Sequence, residues 1–564
     1  MKYNPSPTYP LLSGCMQSGF INLVKELKIS GSNIFLVDGT TALNWDELRG
    51  NISSCSGEIK VFDFDICRKD RQSLRTDLSR LVLEDSHFNR YFQDSIEGLF
   101  DEKKVGVMNS ELLEASNHQP VICMGSGSSL LGLDTAQVVW VSCANRIVHQ
   151  NISSGNSAFF GSAVFTPGES YEYVDRPLMA SRVNNLVNKI FLFVDLSEPA
   201  NSVFINGGHL RENLSAYASQ PFRVQPEFYA KTWGGCWLKE NLPVPTSLLN
   251  TAGSFEFAQQ ENDFVFQHEG LTLHVPLNWV IAANPGKLMG NAVFNRFGCE
   301  FPFRLNLTDT IEGQDLSCQV HPGIEFTSEN YGVSAGVDEK YYVIHAEEGA
   351  GINLGLKEDA DQDQLLMEAE TSEKTGEPFD IKKFVKSWPS EKGKVFLLPP
   401  GTIHNICEGN LVMEIISSNT IFTFRLYDYL RMDMHGNPRP LHITEARQVI
   451  NPGIRSSMVE KELIPQFAEA VDSGVGERSI PCRENSFTVI STIKLMSNYE
   501  TGTEHEKFHL LTLVEGKNVE INSKNFSHPL NFLETIMVPA GTGPYTITNR
   551  SDNQSVLLKV SVQV

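Results

Sequence analysis

The chain has 564 residues, of which 41% are hydrophobic and 20% are charged, a composition typical of a soluble globular protein. Its length predicts about two to four domains. The formal net charge of −22 argues against nucleic acid or an anionic membrane as the main partner. A small anionic ligand is compatible with this charge, because a few arginines in one pocket outweigh a distant average field.

The sequence predicts a cytoplasmic protein. No apolar run reaches the length of a membrane span, and about the first twenty residues lack the continuous apolar core of a signal peptide. The 10 cysteines show no pairing rhythm, and Cys123, Cys143 and Cys318 lie inside apolar, strand-like runs. As buried free thiols they favour a reducing compartment. The oligomeric state is left open.

Residues 1–220 have the pattern of an α/β domain. Short apolar runs alternate with longer polar segments, which predicts a mostly parallel sheet with helical crossovers. A segment at 71–100 also has helical periodicity. The runs are IFLVD at 34–38, KVFDFDI at 60–66, PVICMG at 120–125, QVVWVSC at 137–143 and KIFLFVD at 189–195.

Two loops of this domain follow predicted strands, as the phosphate loop of a nucleotide kinase does. They are VDGTTALNWDE at 37–47 and MGSGSSLL at 124–131. Neither has the G-x-x-x-x-G-K-[ST] spacing whose lysine reaches the phosphates. The domain therefore resembles a degenerate P-loop kinase. We expect it to be non-catalytic and to serve as an interface or a vestigial binding module.

From residue 221 the chain reads as many short strands separated by Gly, Pro and Asn turns, which predicts β-barrels. A first barrel domain is predicted at 221–454, with a charged helical insertion near 356–388. A second is predicted at 455–564, where PAGTGPY at 539–545 echoes PPGTIH at 399–404. The second motif lacks the histidine, so we expect this barrel to hold no metal.

Four polar residues in or beside strand-like stretches form a candidate metal site. Gln319 and His321 stand two apart in DLSCQVHP and so share one face of a strand. Glu339 follows in VDEKYY and His404 in PPGTIHN. One amide oxygen, two imidazoles and one carboxylate suit a divalent ion of the zinc type, with room for water or substrate. We predict one such ion in the first barrel.

PPGTIH fits the P-x-G-x-x-H turn of cupin barrels, and the wider pattern resembles class I mannose-6-phosphate isomerases, especially their short bacterial bicupin form. The resemblance covers about 228–450 and, in outline, 486–564. A longer bacterial subgroup also carries an extra N-terminal α/β domain. The segments that carry the resemblance, in family order, are KTWGGCWL, FEFAQQ, FPFRLNL, DLSCQVHP, DEKYYVI, LLPPGTIHNI and FRLYDYLRMDMHGNPRPLHITEA.

This resemblance implies a set of site residues. The implied zinc ligands are Gln319, His321, Glu339 and His404. Arg425 in FRLYDY falls on the family's active-site arginine, and Glu414 in VMEII falls near a glutamate proposed for proton transfer. Ser317 falls on a serine that contacts the substrate phosphate in relatives.

The chain departs from the family at two positions where relatives carry an active-site lysine. Val337 precedes Glu339 by two residues, and Asn306 ends the FPFRLN strand. Arg304 lies two residues before Asn306 and so on the same face of that strand, which makes it a candidate substitute for substrate binding. Arg431 in YLRMD is another candidate.

The resemblance implies an isomerase that interconverts mannose 6-phosphate and fructose 6-phosphate through an enediol. The missing lysines leave two alternatives open. One is an isomerase or epimerase of the same fold that acts on another sugar or on an unphosphorylated one. The other is a non-catalytic sugar-binding protein that retains its metal, an alternative motivated by the N-terminal domain without a Walker lysine.

Overall fold

The computed structural model describes residues 2–57, 59–155, 157–198, 201–245, 247–465, 476–483, 486–524 and 526–563. They divide into two compact units. The α/β unit comprises Thr8–Tyr217 and Asp263–Asn284, and the β unit comprises Met1–Pro7, Ala218–Asn262 and Pro285–Val564. Within the described ranges, every helix is too short or too polar to cross a lipid bilayer.

The strands of the described residues are numbered in chain order. The first twelve are β1 (Tyr9–Pro10), β2 (Met16–Ser18), β3 (Ile34–Gly39), β4 (Lys60–Asp63), β5 (Val121–Met124), β6 (Gln137–Ser142), β7 (Ile190–Asp195), β8 (Val203–Asn206), β9 (Glu227–Tyr229), β10 (Gly253–Phe257), β11 (Asp263–His268) and β12 (Leu271–Pro276). The others are β13 (Arg304–Asp309), β14 (Cys318–Val320), β15 (Glu339–Ala346), β16 (Gly351–Leu356), β17 (Val385–Pro389), β18 (Val395–Leu398), β19 (His404–Ile406), β20 (Asn410–Ile416), β21 (Phe424–Tyr427), β22 (Gly476–Ile480), β23 (Thr488–Leu495), β24 (Asn498–Gly502), β25 (His509–Glu515), β26 (Asn518–Ser523), β27 (Phe526–Asn531), β28 (Thr535–Val538), β29 (Pro544–Asn549) and β30 (Ser555–Val562).

The α-helices are numbered in the same way. They are α1 (Phe20–Ile29), α2 (Trp45–Ser56), α3 (Arg71–Leu78), α4 (Glu102–Ser116), α5 (Asn145–Ser154), α6 (Pro167–Ser170), α7 (Arg176–Leu186), α8 (Gly207–Tyr217), α9 (Trp237–Asn241), α10 (Leu277–Ala283), α11 (Pro285–Met289), α12 (Asn291–Phe297), α13 (Ile324–Tyr331), α14 (Gln362–Thr375), α15 (Ile443–Val449) and α16 (Ser456–Met458).

The α/β unit is built on a seven-stranded sheet with the order β2-β8-β7-β6-β3-β5-β4. The strands β4, β5, β3, β6 and β7 are parallel and coincide with the five apolar runs of the sequence. Every residue of β3 and β5 is buried, as expected for parallel strands covered on both faces. The strands β8 and β2 close one edge in antiparallel orientation.

The helical periodicity of 71–100 corresponds to an α-helix only at the start of the segment. An α-helix covers only Arg71–Leu78 and is followed by a short 3-10 turn. Beyond that turn, the Asn89 side chain accepts a hydrogen bond from the backbone N–H of Leu83 at 3.2 Å. The Ser86 hydroxyl accepts one from the N–H of Phe88 at 3.1 Å. Such local side-chain acceptors compete with the helical hydrogen bonds of the backbone and disfavour a helix in this stretch.

The Gly-Ser loop after β5 surrounds an acidic side chain of its own unit. Asp38, fully buried at the end of β3, accepts hydrogen bonds from the backbone N–H of Gly127 and of Ser129, each at 2.9 Å. Arg182 forms an ion pair with the same carboxylate. Two amides of this loop are therefore already occupied by an internal anion.

The β unit contains two pairs of antiparallel sheets. In the first pair, a six-stranded sheet has the order β18-β15-β20-β13-β10-β9 and a five-stranded sheet the order β17-β16-β19-β14-β21. In the second pair the orders are β22-β23-β30-β25-β28 and β24-β29-β26-β27. Buried side chains from both sheets of the second pair, including Leu511, Leu557, Ile521 and Ile547, form one apolar core.

Two segments belong to a unit whose main part is distant in sequence: Met1–Pro7 belongs to the β unit, and Asp263–Asn284 belongs to the α/β unit. Near the N-terminus, the Tyr3 hydroxyl donates a hydrogen bond to Glu256 at 2.7 Å, inside the β unit. Residues 263–284 supply β11, β12 and α10 to the α/β unit, where Trp279 packs on Trp140 with ring centroids 5.3 Å apart.

The helical insertion near 356–388 contains α14, which lies between β16 and β17. Asp361 caps its N-terminus by accepting hydrogen bonds from the N–H groups of Asp363 and Gln364. Gly376, with φ of 71°, forms its left-handed C-terminal cap.

Candidate metal centre and active-site cavity

The four predicted ligands come from two sheets of the β unit. Gln319 lies on β14 and pairs in register with His404 on β19, so the two side chains are cross-strand neighbours. His321 follows Gln319 by two residues and points to the same side. Glu339 begins β15 of the six-stranded sheet. The ligand-type side chains therefore converge from both sheets of the first pair.

A glycine turn sets the direction of the strand that carries His404. Gly401 has a φ of 82°, and its N–H donates to the carbonyl oxygen of His321 at 2.8 Å. A Cβ atom at this position would lie 2.7 Å from the carbonyl oxygen of Val449. Only glycine fits both the left-handed backbone and this close approach, so it fixes the turn of the P-x-G-x-x-H motif.

The distances within the cluster match a tetrahedral ion. The Oε2 atom of Glu339 lies 3.4 Å from the Nε2 atoms of His321 and of His404. The side-chain amide of Gln319 lies 3.4 Å from the same two nitrogens. Zinc–ligand bonds of about 2.0–2.1 Å place tetrahedral ligands about 3.4 Å apart.

Hydrogen bonds orient both imidazoles for metal binding. The Nδ1 atom of His321 contacts the carbonyl oxygen of Phe422 at 2.8 Å, and that of His404 contacts the carbonyl oxygen of Thr402 at 2.8 Å. Each Nδ1 therefore carries a proton, and each Nε2 presents a lone pair to the cluster. A 180° rotation of the Gln319 amide would turn its oxygen to the same point.

The carboxylate of Glu339 completes a donor set that fits a divalent ion. It is 3% exposed, and its Oε2 atom has no hydrogen-bond partner among the described residues. Burial raises the pKa of Glu339, but the adjacent imidazoles of His321 and His404, which stabilise the carboxylate when they are protonated, outweigh it and hold the pKa below its usual range. These three groups thus compete for protons or for a metal ion.

The cluster borders a cavity of about 240 Å³. Gln319, His321 and Glu339 contribute to its wall, and a ligand atom of His404 lies within 4.8 Å of those of His321 and Glu339. The lining residues are Tyr229, Lys231, Trp233, Asn306, Thr308, Leu316, Ser317, Gln319, His321, Glu339, Glu414, Ile416, Ile421, Thr423, Arg425 and Arg439.

Glu414 is a second buried carboxyl group of this cavity. It lies on β20, in register with Asn306 on one side and with Tyr341 on the other. Burial, and then the charge of Glu339, raise the pKa of Glu414 to about 8. The Nδ2 atom of Asn306 donates to its Oε2 atom at 3.4 Å. A carboxyl group with a pKa near neutrality is suited to proton transfer.

Arg425 lies on β21 and pairs in register with Gln319. Its Nε atom donates to the carbonyl oxygen of Pro440 at 3.0 Å, and its Nη2 atom contacts Nε2 of His442 at 3.1 Å. Burial and the neighbouring charge of Arg439 lower its pKa. The guanidinium is therefore held in place at the cavity wall.

Ser317 lines the cavity as well, whereas two further predicted residues lie elsewhere. The guanidinium of Arg304 stacks over the Phe255 ring at 4.2 Å and lies 3.5 Å from Glu261. Arg431 forms an ion pair with Asp428 at 2.6 Å and lines a second cavity of about 500 Å³. Neither arginine lines the cavity beside the cluster.

Val337 and Asn306, at the two positions where the family resemblance implies a lysine, differ in their surroundings. Val337 is fully buried, whereas Asn306 lines the cavity and contacts Glu414. Sequence reasoning missed two cationic lining residues, Lys231 and Arg439. The signal was present, because Lys231 stands in KTWGG and Arg439 in GNPRPLHI, two segments that carry the family resemblance.

Comparison with known families gives one match in the N-terminal region. Residues 19–219 match a family described as "Domain of unknown function (DUF8485)". This range lies within the α/β unit apart from its last two residues. The match supplies no activity for that unit.

Curated proteins similar to this chain have a named activity. Mannose-6-phosphate isomerase of Streptococcus mutans is 29% identical over 236 residues, which are 42% of this chain and 69% of that protein. Mannose-6-phosphate isomerase ManA of Bacillus subtilis is 26% identical over 340 residues, 58% of this chain and 96% of that protein. Among solved structures, the mannose 6-phosphate isomerase of Bacillus subtilis matches with a TM-score of 0.48 and 21% identity, over 61% of this chain and 99% of that one. The relatives are thus mannose-6-phosphate isomerases, at low identity.

Proposed function

We propose that the chain is a zinc-dependent isomerase that interconverts mannose 6-phosphate and fructose 6-phosphate. One observation carries this proposal: the metal-ligand cluster, the carboxyl group of Glu414 and the guanidinium of Arg425 border one cavity. A Lewis acid, a proton-transfer group and a positive charge can together catalyse the isomerisation of an aldose to a ketose. The names of the similar proteins support the choice of substrate.

The donor set supports zinc as the ion. His321, His404, Glu339 and the Gln319 amide oxygen would hold it, and the 3.4 Å separations within the cluster fit a tetrahedral ion. When bound, zinc would act as a Lewis acid toward the sugar oxygens.

Glu414 is the proposed proton-transfer group. Conversion of an aldose to a ketose moves a proton from C2 to C1, and a single carboxylate between these carbons can remove it from one and return it to the other. The pKa of about 8 favours a carboxyl group that readily accepts and releases a proton near neutral pH. Asn306 orients the Oε2 atom through its hydrogen bond of 3.4 Å.

Arg425 is proposed to stabilise the negative charge that develops on the sugar oxygens as the proton leaves carbon. Its guanidinium is always charged and is fixed by Pro440 and His442, so it needs no reorganisation during the reaction. Ser317, in the same cavity, is a candidate hydrogen-bond partner of the substrate.

A second candidate function is favoured by Val337 and Asn306. The relatives' lysines are absent at these positions, Val337 is fully buried, and Asn306 is engaged with Glu414. Both features fit an isomerase or epimerase of the same kind that acts on an unphosphorylated sugar. The two candidates share the metal and the proton-transfer group and differ only in the end of the substrate distant from the reacting carbons.

We also propose that 221–454 and 455–564 form two cupin barrels, of which only the first holds metal, and that 1–220 is a P-loop-like domain without catalytic activity. The glycine turn before His404 supports a cupin motif in the first barrel. Limited proteolysis followed by mass spectrometry tests these boundaries. Cleavage concentrated near residues 220 and 455 is expected, and cleavage concentrated inside either barrel would contradict them.

The assay that separates the candidates uses fructose 6-phosphate, free fructose and free mannose, each with and without a chelator. The proposal predicts conversion of fructose 6-phosphate that is lost on chelation. Chelator-sensitive turnover of a free sugar alone would favour the second candidate. Absence of turnover of all three sugars by zinc-loaded protein would contradict both.

A further inference from the structure

Three positively charged side chains line the cavity beside the metal cluster, although the chain as a whole has a net charge of −22. They are Lys231, Arg425 and Arg439. The carboxyl groups in the same lining are Glu339, which belongs to the metal cluster, and Glu414, whose raised pKa favours its neutral form. The cavity wall thus has an excess of positive charge.

Lys231 has a fixed backbone and an uncommitted ammonium group. Its N–H donates to the side-chain oxygen of Asn250 at 3.2 Å, and its carbonyl oxygen accepts from the Nδ2 atom of Asn250 at 2.8 Å. Its Nζ atom lies 5.7 Å from the centre of the Tyr229 ring. Within the described part of the chain, Nζ makes no hydrogen bond or ion pair. The charge of Glu261 acts on Lys231 only from beyond ion-pair distance, so the ammonium at the cavity is available to a ligand.

Arg439 shares the carboxylate with which it forms an ion pair. Its Nη1 atom lies 2.6 Å from Oδ2 of Asp428, and the Nη2 atom of Arg431 lies 2.6 Å from Oδ1 of the same residue. Asp428 is 2% exposed. One carboxylate between two guanidinium groups fixes both in position but neutralises only one positive charge.

The cations also oppose one another. Burial, and then the charge of Arg439, lower the pKa of Lys231. The same two causes, in the same order, lower the pKa of Arg425. A multiply charged anion placed among these groups would relieve the repulsion, and a phosphate monoester carries close to two negative charges at neutral pH.

We infer that Lys231 and Arg439 form the binding subsite for the substrate's phosphate group, in place of the lysines that relatives carry at the positions of Val337 and Asn306. This inference rests on the proposed function for the identity of the sugar. The phosphate group would then lie against the part of the cavity wall formed by the KTWGG and GNPRPLHI segments. Such a subsite favours a phosphorylated sugar over the unphosphorylated alternative.

The test uses full-length, zinc-loaded protein and two measurements. Inorganic phosphate binding is measured by calorimetry, and KM and kcat are measured with fructose 6-phosphate. Lys231→Met and Arg439→Gln are compared with Lys461→Met, whose side chain is 81% exposed and does not line the cavity. Loss of one charge-assisted hydrogen bond should weaken phosphate binding and raise KM by about tenfold or more. We expect kcat to change less, and Lys461→Met to behave as the wild type.

The two measurements distinguish the inference from the proposed function. Loss of phosphate binding in Lys231→Met and Arg439→Gln, in a protein without isomerase activity, would support the subsite and overturn the function. Isomerase activity with unchanged KM and unchanged phosphate affinity in both variants would overturn the subsite and leave the function in place. Circular dichroism of each variant identifies any that fails to fold, and the other variant then decides.

Discussion

At the residue scale, two buried glutamates of one cavity have opposite pKa shifts. Glu339 faces two imidazoles, which outweigh its burial when they are protonated and lower its pKa. Glu414 has no such partner, so burial and the charge of Glu339 raise its pKa to about 8. Environments that separate the pKa values of neighbouring carboxyl groups assign them different roles. Here the ionised group suits a metal ion, and the group near neutrality suits proton transfer.

The first prediction concerns the pH dependence of the reaction. The pKa of Glu414 is raised, so this carboxyl group takes up its proton at a higher pH than an ordinary glutamate. If it must be ionised to accept a proton from the sugar, kcat/KM falls as the pH is lowered through this pKa, well above the usual value of about 4.3. The pH at the midpoint of the acidic limb, in the pH–rate profile of the zinc-loaded enzyme, measures this pKa.

Glu414→Gln tests the same role, because glutamine keeps the shape of the side chain but cannot accept a proton as the carboxylate does. We expect a loss of about 10²–10⁴-fold in kcat with zinc content unchanged. A wild-type acidic limb at the pKa of an ordinary glutamate, together with full activity of Glu414→Gln, would contradict the role of Glu414.

The second prediction is that Arg425→Ala retains zinc and the fold but loses isomerase activity. Arg425 lies on β21, which carries none of the proposed ligands, and its charge faces the cavity. Steady-state kinetics and elemental analysis test this. Arg447→Ala serves as the control, since that side chain is 46% exposed and lies outside the cavity lining. Unchanged kcat/KM in Arg425→Ala would remove Arg425 from the reaction.

At the scale of the elements, the register of three strands assembles the site. Gln319 on β14 lies between His404 on β19 and Arg425 on β21, so one residue connects the candidate metal cluster to the proposed catalytic arginine. A register shift between Cys318 and Gln319 accompanies the pairing with β21. Such irregularities re-aim side chains at functional sites.

Local motifs are readable from the sequence, whereas this pairing is not. The two-residue spacing of Gln319 and His321 follows from strand periodicity alone. The sequence also correctly indicated that Arg304 shares a face with Asn306, since the two side chains are hydrogen-bonded at 3.3 Å. It could not show that Glu261 and Phe255 draw the guanidinium of Arg304 away, because these partners lie on other segments of the chain.

The third prediction tests the glycine turn. Gly401→Ala forces a left-handed backbone on alanine and brings Cβ within 2.7 Å of the Val449 carbonyl oxygen. Gly349→Ala is the matched control, with φ of 85° and open space around the added Cβ. The control should lose only the cost of holding alanine in a left-handed backbone conformation, about 1 kcal/mol of the free energy of unfolding. We expect Gly401→Ala to lose more and to retain less zinc. Equal losses in denaturant titrations, with equal zinc content, would contradict a role of this turn in placing His404.

At the scale of the whole molecule, the α/β unit and the β unit differ in where they place charged groups. The β unit lines its cavity with the cations Lys231, Arg425 and Arg439, whereas the Gly-Ser loop of the α/β unit donates two amides to its own Asp38. Alternating apolar runs were enough to predict the parallel sheet, because strands such as β3 and β5 are buried along their whole length. They could not predict that residues 263–284 join this unit, since that grouping depends on contacts such as Trp279 with Trp140.

The fourth prediction is that the α/β unit does not transfer phosphate from nucleotides. Its loops lack the lysine-containing phosphate motif, and the amides of Gly127 and Ser129 are occupied by Asp38. Calorimetric titration of the full chain with ATP and with GTP, in the presence of magnesium, is expected to give no micromolar binding and no turnover. Micromolar binding accompanied by nucleotide hydrolysis or transfer would show that this unit is an active kinase-like domain.

The most direct test of the central claim is a zinc titration of metal-stripped protein, with conversion of fructose 6-phosphate to mannose 6-phosphate measured at each step. The proposed site predicts activity that is absent without metal, rises with bound zinc and saturates at about one ion per chain. In His321→Ala and His404→Ala, loss of one imidazole should abolish both high-affinity zinc binding and activity, since changes outside the ligand set alone often cost about 10–100-fold in affinity. Isomerase activity that persists in stripped protein, or full zinc occupancy in both variants, would contradict the account.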